Sequence, residues 1–308
     1  MKKATLTCAA AITMTCAYPP VVAAEGWLDP MIDKRTNLHF VSDRSKLHAT
    51  VVDMKERGRI VIDVETYYDT QCASTNSDWQ YKCRRYALIS TKNVDNLLWE
   101  IVLPYDKNAY SEQWKEFEGK NFRLADIEDD GLVANTITAL FVQNSKKLKW
   151  ASFPSLSLKR FKEEYKKRVT DGKMTLIDHE VFEEGGKKRH AVIFARDKSL
   201  RFTLPLWHLS YDDYAKLATF AYDRDNLRPL YMNAIYSYHS DTYYTTFMRD
   251  NSTDAKVFTR MTRKQFNTRN ANLREKGYRL IDIEIGATGT QGRWRGTWLR
   301  RKKPIRTD

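Results

Sequence analysis

The chain has 308 residues, 42% hydrophobic and 12% aromatic, enough for a packed core and compatible with one or two ordinary domains. Its formal net charge of +13 favours anionic partners, whether envelope polymers, lipid head groups, acidic proteins or nucleic acid, without choosing among them. Beyond the amino terminus no segment approaches the run of about 20 apolar residues that crosses a bilayer as a helix, which excludes that class of membrane protein.

Residues 1–24 carry Lys2 and Lys3, an apolar centre from Ala9 to Met14, and Val22-Ala23-Ala24 ahead of Glu25. This is the pattern of a secretory leader with a small-residue cleavage site, so the expected product is periplasmic or secreted. Net charge falls from +13 to +11 once Lys2 and Lys3 leave with the leader. Export also argues against nucleic acid as the partner, whatever the charge. Cys16 follows Thr15 and lacks the small-residue box that lipid attachment needs. Residues 25–40 read as an amino-terminal extension.

From residue 41 onward one grammar recurs five times. A cap-forming residue stands at Asp43, Asp106, Ser157, Ser210 and Thr262, and four positions later comes an anchor: Leu47, Tyr110, Phe161, Tyr214 or Phe266. Eleven residues past each anchor lies Gly58, Asn121, Gly172, Asp225 or Gly277, residue types that tolerate positive φ and close helices. Thr262 and Gln265 have capping-box spacing, and Met261 with Phe266 has that of a hydrophobic staple. Staples recur as Tyr105 with Tyr110, Leu156 with Phe161 and Leu209 with Tyr214, while the first copy has Ser42 in the apolar place. Each helix is followed by an alternating strand, a turn and a return strand. Connectors with an apolar or aromatic centre (Leu98 to Ile101, Leu148 to Trp150, Arg201 to Leu204, Lys256 to Phe258) then suggest a third short strand. The expectation is an α+β fold, a single array of five helix-strand-strand-strand repeats over about 41–103, 104–154, 155–207, 208–259 and 260–308. One such unit is too small to bury its own apolar face, so neighbours must share a core.

Cys72 and Cys83 fall in the long loop of the first hairpin. An exported chain with a closed loop of about a dozen residues makes a disulfide the natural reading, stabilising by roughly 2 to 4 kcal/mol. With no C-x-x-C and no adjacent histidine, a metal or redox role is disfavoured.

The phrases from Met261 to Phe266 and from Gly277 to Leu280, with the closing Trp298, resemble the bacterial tandem repeat that also forms the amino-terminal region of polyglycine hydrolases. The resemblance covers about Val41 to Arg300. It implies repeats packed side by side into a curved sheet or partial barrel with helices on one face. In several relatives such an array precedes a serine hydrolase of the β-lactamase class. Here no serine of the mature chain has Lys three residues later, and G-x-S-x-G, H-E-x-x-H and phosphate-cradling glycine loops are absent. No catalytic residue, metal ligand set or cofactor is expected. His179 and His190 are placed to face each other across one hairpin, and two imidazoles fall short of a metal site.

Two features suggest binding. An acidic pair recurs on the first strand after each cap: Asp63 and Glu65, Asp126 and Glu128, Asp178 and Glu180, Asp282 and Glu284, with Tyr231 and Asn233 in the fourth copy. Strand positions two apart point to one side, so side-by-side hairpins would form an acidic stripe suited to a cation or basic ligand. The competing reading is cross-strand pairing with Arg84, Arg85, His190, Arg293 and Arg295 on the return strands. Tyr67, Tyr68, Tyr236, Tyr238, Tyr243 and Tyr244 cluster near hairpin ends, where flat rings could stack on sugars. The leading functional expectation is an exported, non-catalytic module binding an anionic envelope polymer, another exported polymer or a protein. The alternatives are a hydrolase with an unrecognised nucleophile, and an accessory protein or inhibitor of a separate hydrolase. Oligomeric state is not legible.

Overall fold

A computed structural model of the chain describes residues 35–69, 72, 83–106, 110–129, 136–196, 203–210, 212–217, 227–235, 242–249, 253–286 and 293–302. The expected leader, Asp225, Tyr236 and Tyr238 lie outside these residues.

Strand dominates, with fifteen strands and four α-helices among the described residues. In chain order these are β1 (Asn37–Val41), α1 (Arg44–Glu56), β2 (Arg59–Tyr68), β3 (Arg84–Lys92), β4 (Trp99–Asp106), α2 (Tyr110–Gly119), β5 (Phe122–Asp129) and β6 (Thr136–Gln143). There follow β7 (Trp150–Leu156), α3 (Leu158–Tyr165) with a π-helical continuation (Lys166–Asp171), β8 (Thr175–Glu184), β9 (Lys187–Ala195) and β10 (Thr203–Leu209). The last are β11 (Leu227–Ile235), β12 (Thr242–Arg249), β13 (Thr253–Met261), α4 (Arg263–Glu275), β14 (Arg279–Ile285) and β15 (Trp294–Arg301). Residues 212–217, between β10 and β11, are also helical.

Hydrogen bonding divides the strands into five three-stranded antiparallel sheets, in the orders β1-β3-β2, β4-β6-β5, β7-β9-β8, β10-β12-β11 and β13-β15-β14. None closes on itself, so the expected continuous curved sheet or partial barrel does not form. The connector strand also belongs elsewhere than expected: β4 pairs with β6, which follows it, and β7 with β9. Each sheet is therefore built in the order strand, helix, strand, strand. The first is completed by β1, which starts inside the expected amino-terminal extension. Asparagine-held turns pass the chain between sheets. The Asn93 amide donates to Leu97 O and accepts from Leu97 N, and Asn144 does the same with Leu148.

The second strands of the sheets meet in a cycle: β2 packs on β5, β5 on β8, β8 on β11, β11 on β14, and β14 back on β2. Five sheets thus surround one axis, in the manner of a small propeller. The apolar clusters run between neighbours. One joins Val41, Leu47 and Val64 to Leu140 and Val142, and another joins Phe141 to Phe161 and Phe194. A third joins the last sheet to the first, with Ala87 and Ile89 among Phe266, Ile283, Trp294 and Trp298. A fourth cluster lies largely within the fourth sheet and a fifth within the last.

Helix ends follow the local chemistry. Asp43, Ser157 and Thr262 each accept the N–H three residues on, Thr262 with its full capping box, and Ser210 accepts from Asp213 N. Gly58, Asn121 and Gly277 have φ of 60°, 62° and 84°. Gly172 differs. The third helix ends in a π turn whose wider winding takes in an extra residue, so the left-handed position passes to Lys173 (φ 55°). Glycine is needed at 172 for space instead, since a Cβ there would stand 2.7 Å from Arg168 O.

Cys72 and Cys83 form a disulfide, with Cα atoms 5.4 Å apart. Among the described residues no helix is long and apolar enough to cross a membrane.

Two substitutions separate local from packing contributions. Thr262→Ala should lower unfolding free energy by about 1 kcal/mol, the usual worth of a cap. Gly296→Ala should cost about 1–3 kcal/mol by overpacking, because its Cβ would lie 2.4 Å from the Trp298 ring and 2.9 Å from Phe266. Urea unfolding of both variants measures the difference.

Candidate functional site

The four acidic pairs lie on β2, β5, β8 and β14, the strands nearest the axis. In every sheet the pairing register shifts just before the first acidic position: between Val61 and Asp63, Leu124 and Asp126, Leu176 and Asp178, and Leu280 and Asp282. β11 has the same shift between Pro229 and Tyr231. A bulge bends a strand and raises its twist, so each inner strand turns at the point where its carboxylates begin.

The carboxylates do not form an exposed stripe. Asp63, Glu65 and Asp126 are buried, and Glu128, Asp178, Glu180, Asp282 and Glu284 are half-buried. They bind the open edges of neighbouring inner strands. Asp126 Oδ2 accepts from Val64 N at 2.7 Å, and Asp178 Oδ2 accepts from Ile127 N at 3.0 Å. At the junction of last and first sheets Asp63 Oδ2 accepts from Ile283 N (3.2 Å), and Glu65 Oε1 from Ile285 N (2.9 Å). The three aspartates occupy one position in the pattern and cap the N–H of one equivalent residue, Val64, Ile127 or Ile283. An inner edge that would otherwise leave unpaired amides is satisfied by the next sheet's side chain.

Cross-strand pairing with arginine is realised at the last pair. Arg295, fully buried, reaches Asp282 at 2.7 Å and Glu284 at 3.1 Å. Thr297 Oγ1 also donates to Asp282. Arg84 instead reaches the Tyr68 hydroxyl, and Arg85 reaches Ser42 O and Asp69.

Burial makes six of these acids hard to ionise. Asp126 is pushed up to about 7, by loss of solvent first, against the pull of the Val64 N–H. Asp63, Glu65, Glu128, Asp178 and Glu180 are raised well above the usual carboxylate range, by burial first and then by one another's charge. Glu180 feels Glu284 and Glu65 from other sheets, as expected of groups facing one axis. Among the described residues no three His, Cys, Asp or Glu side chains are arranged to hold a metal ion.

His179 and His190 do face each other, Nε2 to Nδ1 at 2.9 Å, buried against Phe161 and Tyr244. They are part of an aromatic core. The tyrosines divide. Tyr68, Tyr243 and Tyr244 are buried, Tyr243 stacked on Tyr214, and their rings serve packing instead of a stacking surface. Tyr67 is half-buried, edge-on to Trp294. A hollow between the first two sheets is lined by Ile62, Val94, Leu97, Ala125 and Val142 and includes none of the carboxylates.

Two of the helices present basic faces, while α2 exposes Glu112, Glu116 and Glu118 beside Lys115 and Lys120. α3 and its continuation expose Lys159, Lys162, Lys166 and Lys167, and α4 exposes Arg263, Lys264 and Arg269, with Lys276 at its end. Arg263 lies over the Phe40 and Trp294 rings, and Arg269 over Phe258.

Compared with known families, residues 257–301 match the polyglycine hydrolase-like structural repeat, in agreement with the resemblance of the last copy. No curated protein matches the chain.

Arg295 offers a direct test of the axis. Arg295→Met leaves Asp282 and Glu284 without their cation, and breaking a buried pair costs about 3–5 kcal/mol. Thermal unfolding of the variant at neutral pH measures the loss.

Proposed function

We propose that the chain is an exported, non-catalytic binding module, an array of five strand-helix-strand-strand units whose basic outer surface holds an anionic envelope polymer. The observation that carries this reading is the radial separation of charge. The acidic pairs are drawn into the axis, while lysines and arginines stand out on α3 and α4. A partner approaching from outside therefore meets a surface more positive than the formal +11 left without Lys2 and Lys3 suggests. A repeated scaffold that spends its carboxylates on joining its own sheets also suits a structural display role. The repeat match over residues 257–301 supports the modular architecture.

Binding to an acidic polysaccharide, with polygalacturonate as the probe, should weaken steeply as salt rises from 50 to 300 mM, because the attraction is between exposed charges. Lys159→Glu with Lys264→Glu should lower affinity about tenfold or more, roughly 1.4 kcal/mol, without changing the unfolding midpoint. A fluorophosphonate probe should leave the protein unlabelled. Stoichiometric labelling of one residue would instead establish a serine hydrolase.

A further inference from the structure

The junction of the last and first sheets is the one point in the ring with no peptide link between consecutive sheets. It is held by the apolar contacts of Phe40 and Tyr67 with Trp294 and by two hydrogen bonds that cross 220 residues of sequence, Asp63 to Ile283 N and Glu65 to Ile285 N. Both carboxylates are buried, and both face further acids. Asp126 and Glu128 approach from β5, Asp178 and Glu180 from β8, and Asp282 and Glu284 from β14. β11 carries Tyr231 and Asn233 at the matching sequence positions, neither of them acidic. Among the described residues the cation paired with these carboxyl groups is Arg295, engaged by Asp282 and Glu284. His179 points to the other side of its strand, toward Phe161, and Arg84 lies with Tyr68.

We propose that this axis is a proton-dependent clasp: protons shared among its carboxyl groups keep the ring shut, and their release to solvent opens it between the first and last sheets. The inference is independent of what the outer surface binds. Ionising one carboxyl is tolerated, since backbone N–H groups and Arg295 stabilise the charge. Ionising several places like charges together in a buried space, where repulsion is poorly screened. Strain from that repulsion falls on every junction, but four of the five are tethered by the chain. Separation of the untethered pair relieves it at least cost.

The direction follows from linkage. These acids sit above their unfolded values, so the folded ring binds more protons than the unfolded chain once pH passes the ordinary carboxylate range. Stability is full below about pH 4 and falls as pH climbs through the raised values, which for Asp126 is about 7.

Amide hydrogen exchange on the full chain, corrected for the intrinsic pH dependence of the rate, tests the clasp. Between pH 5.5 and 8.5 protection of Ile283 and Ile285 should fall about tenfold or more, while that of Val64 and Ile127, at tethered junctions, falls less. Glu128→Gln with Glu180→Gln removes two charges from the axis without touching the four inter-sheet hydrogen bonds, and should flatten the pH response at Ile283 and Ile285. Protection independent of pH would overturn the proposal. So would an equal loss at all four amides, or a double variant that folds and keeps the wild-type response.

Discussion

A β-sheet of three strands has two open edges, and the amides of the inner one must be satisfied without solvent. In this protein the inner edges come together around an axis, where five strands meet and water is scarce. Continuous strand pairing would solve the problem by making one barrel. The bulge before each acidic position turns the strand away from that solution. What remains at three junctions is an edge N–H of one sheet and a carboxylate from the next, and their hydrogen bond becomes the joint. That bond satisfies the amide, but it imports a group that resists losing its proton once buried. The joint and its protonation are therefore coupled.

That coupling explains why the apolar core and the polar axis are arranged differently. Apolar clusters sit between neighbouring sheets, where Phe141 meets Phe161 and Phe194, or Ile283 meets Ala87. They supply most of the burial and make no demand on register. The carboxylates sit where register matters, since Asp63 must reach Ile283 N and Glu65 must reach Ile285 N two residues on. The fourth sheet lacks the acids at matching positions. Beside it, the buried His179 and His190 pack against Tyr244. Aromatic packing accompanies the change of chemistry at that junction, and the ring tolerates one joint built on other terms.

The parts legible in the sequence were those decided within a few residues. Asp43, Ser157 and Thr262 cap their helices because the acceptor is three residues from its donor. Gly58, Asn121 and Gly277 take positive φ at a fixed distance from their anchors. Gly172 shows the limit of such counting. One π turn moved the left-handed position to Lys173, and no local signal marks where a helix will wind wider. The acidic pairs were visible as a pattern, yet their place was not. An Asp-x-Glu on an alternating strand reads as a half-exposed face, and only the bulge and the meeting of five edges send it inward. Likewise Tyr243 and Tyr244 looked like a surface cluster by composition, while the sheet around them makes them core. The connector strand was found but given to the wrong sheet, because antiparallel pairing with the preceding or the following return strand leaves the same short apolar run.

Ring closure is the least local property of all, and it bears on how such a chain can change in length. The second sheet lends Asp126 to the sheet before it and offers Ile127 N to the one after it. Another sheet built on the same pattern could stand beside it and preserve that relation on both sides. The terminal sheets differ, since they must also meet each other. Asp63 and Glu65 pair with Ile283 and Ile285 only because five sheets bring the last edge to the first at the right angle. Number and closure are therefore one constraint. The acid at the first position of the first inner strand serves two ends of the molecule, one by sequence and one by geometry, and its burial raises the cost of leaving the second unfilled.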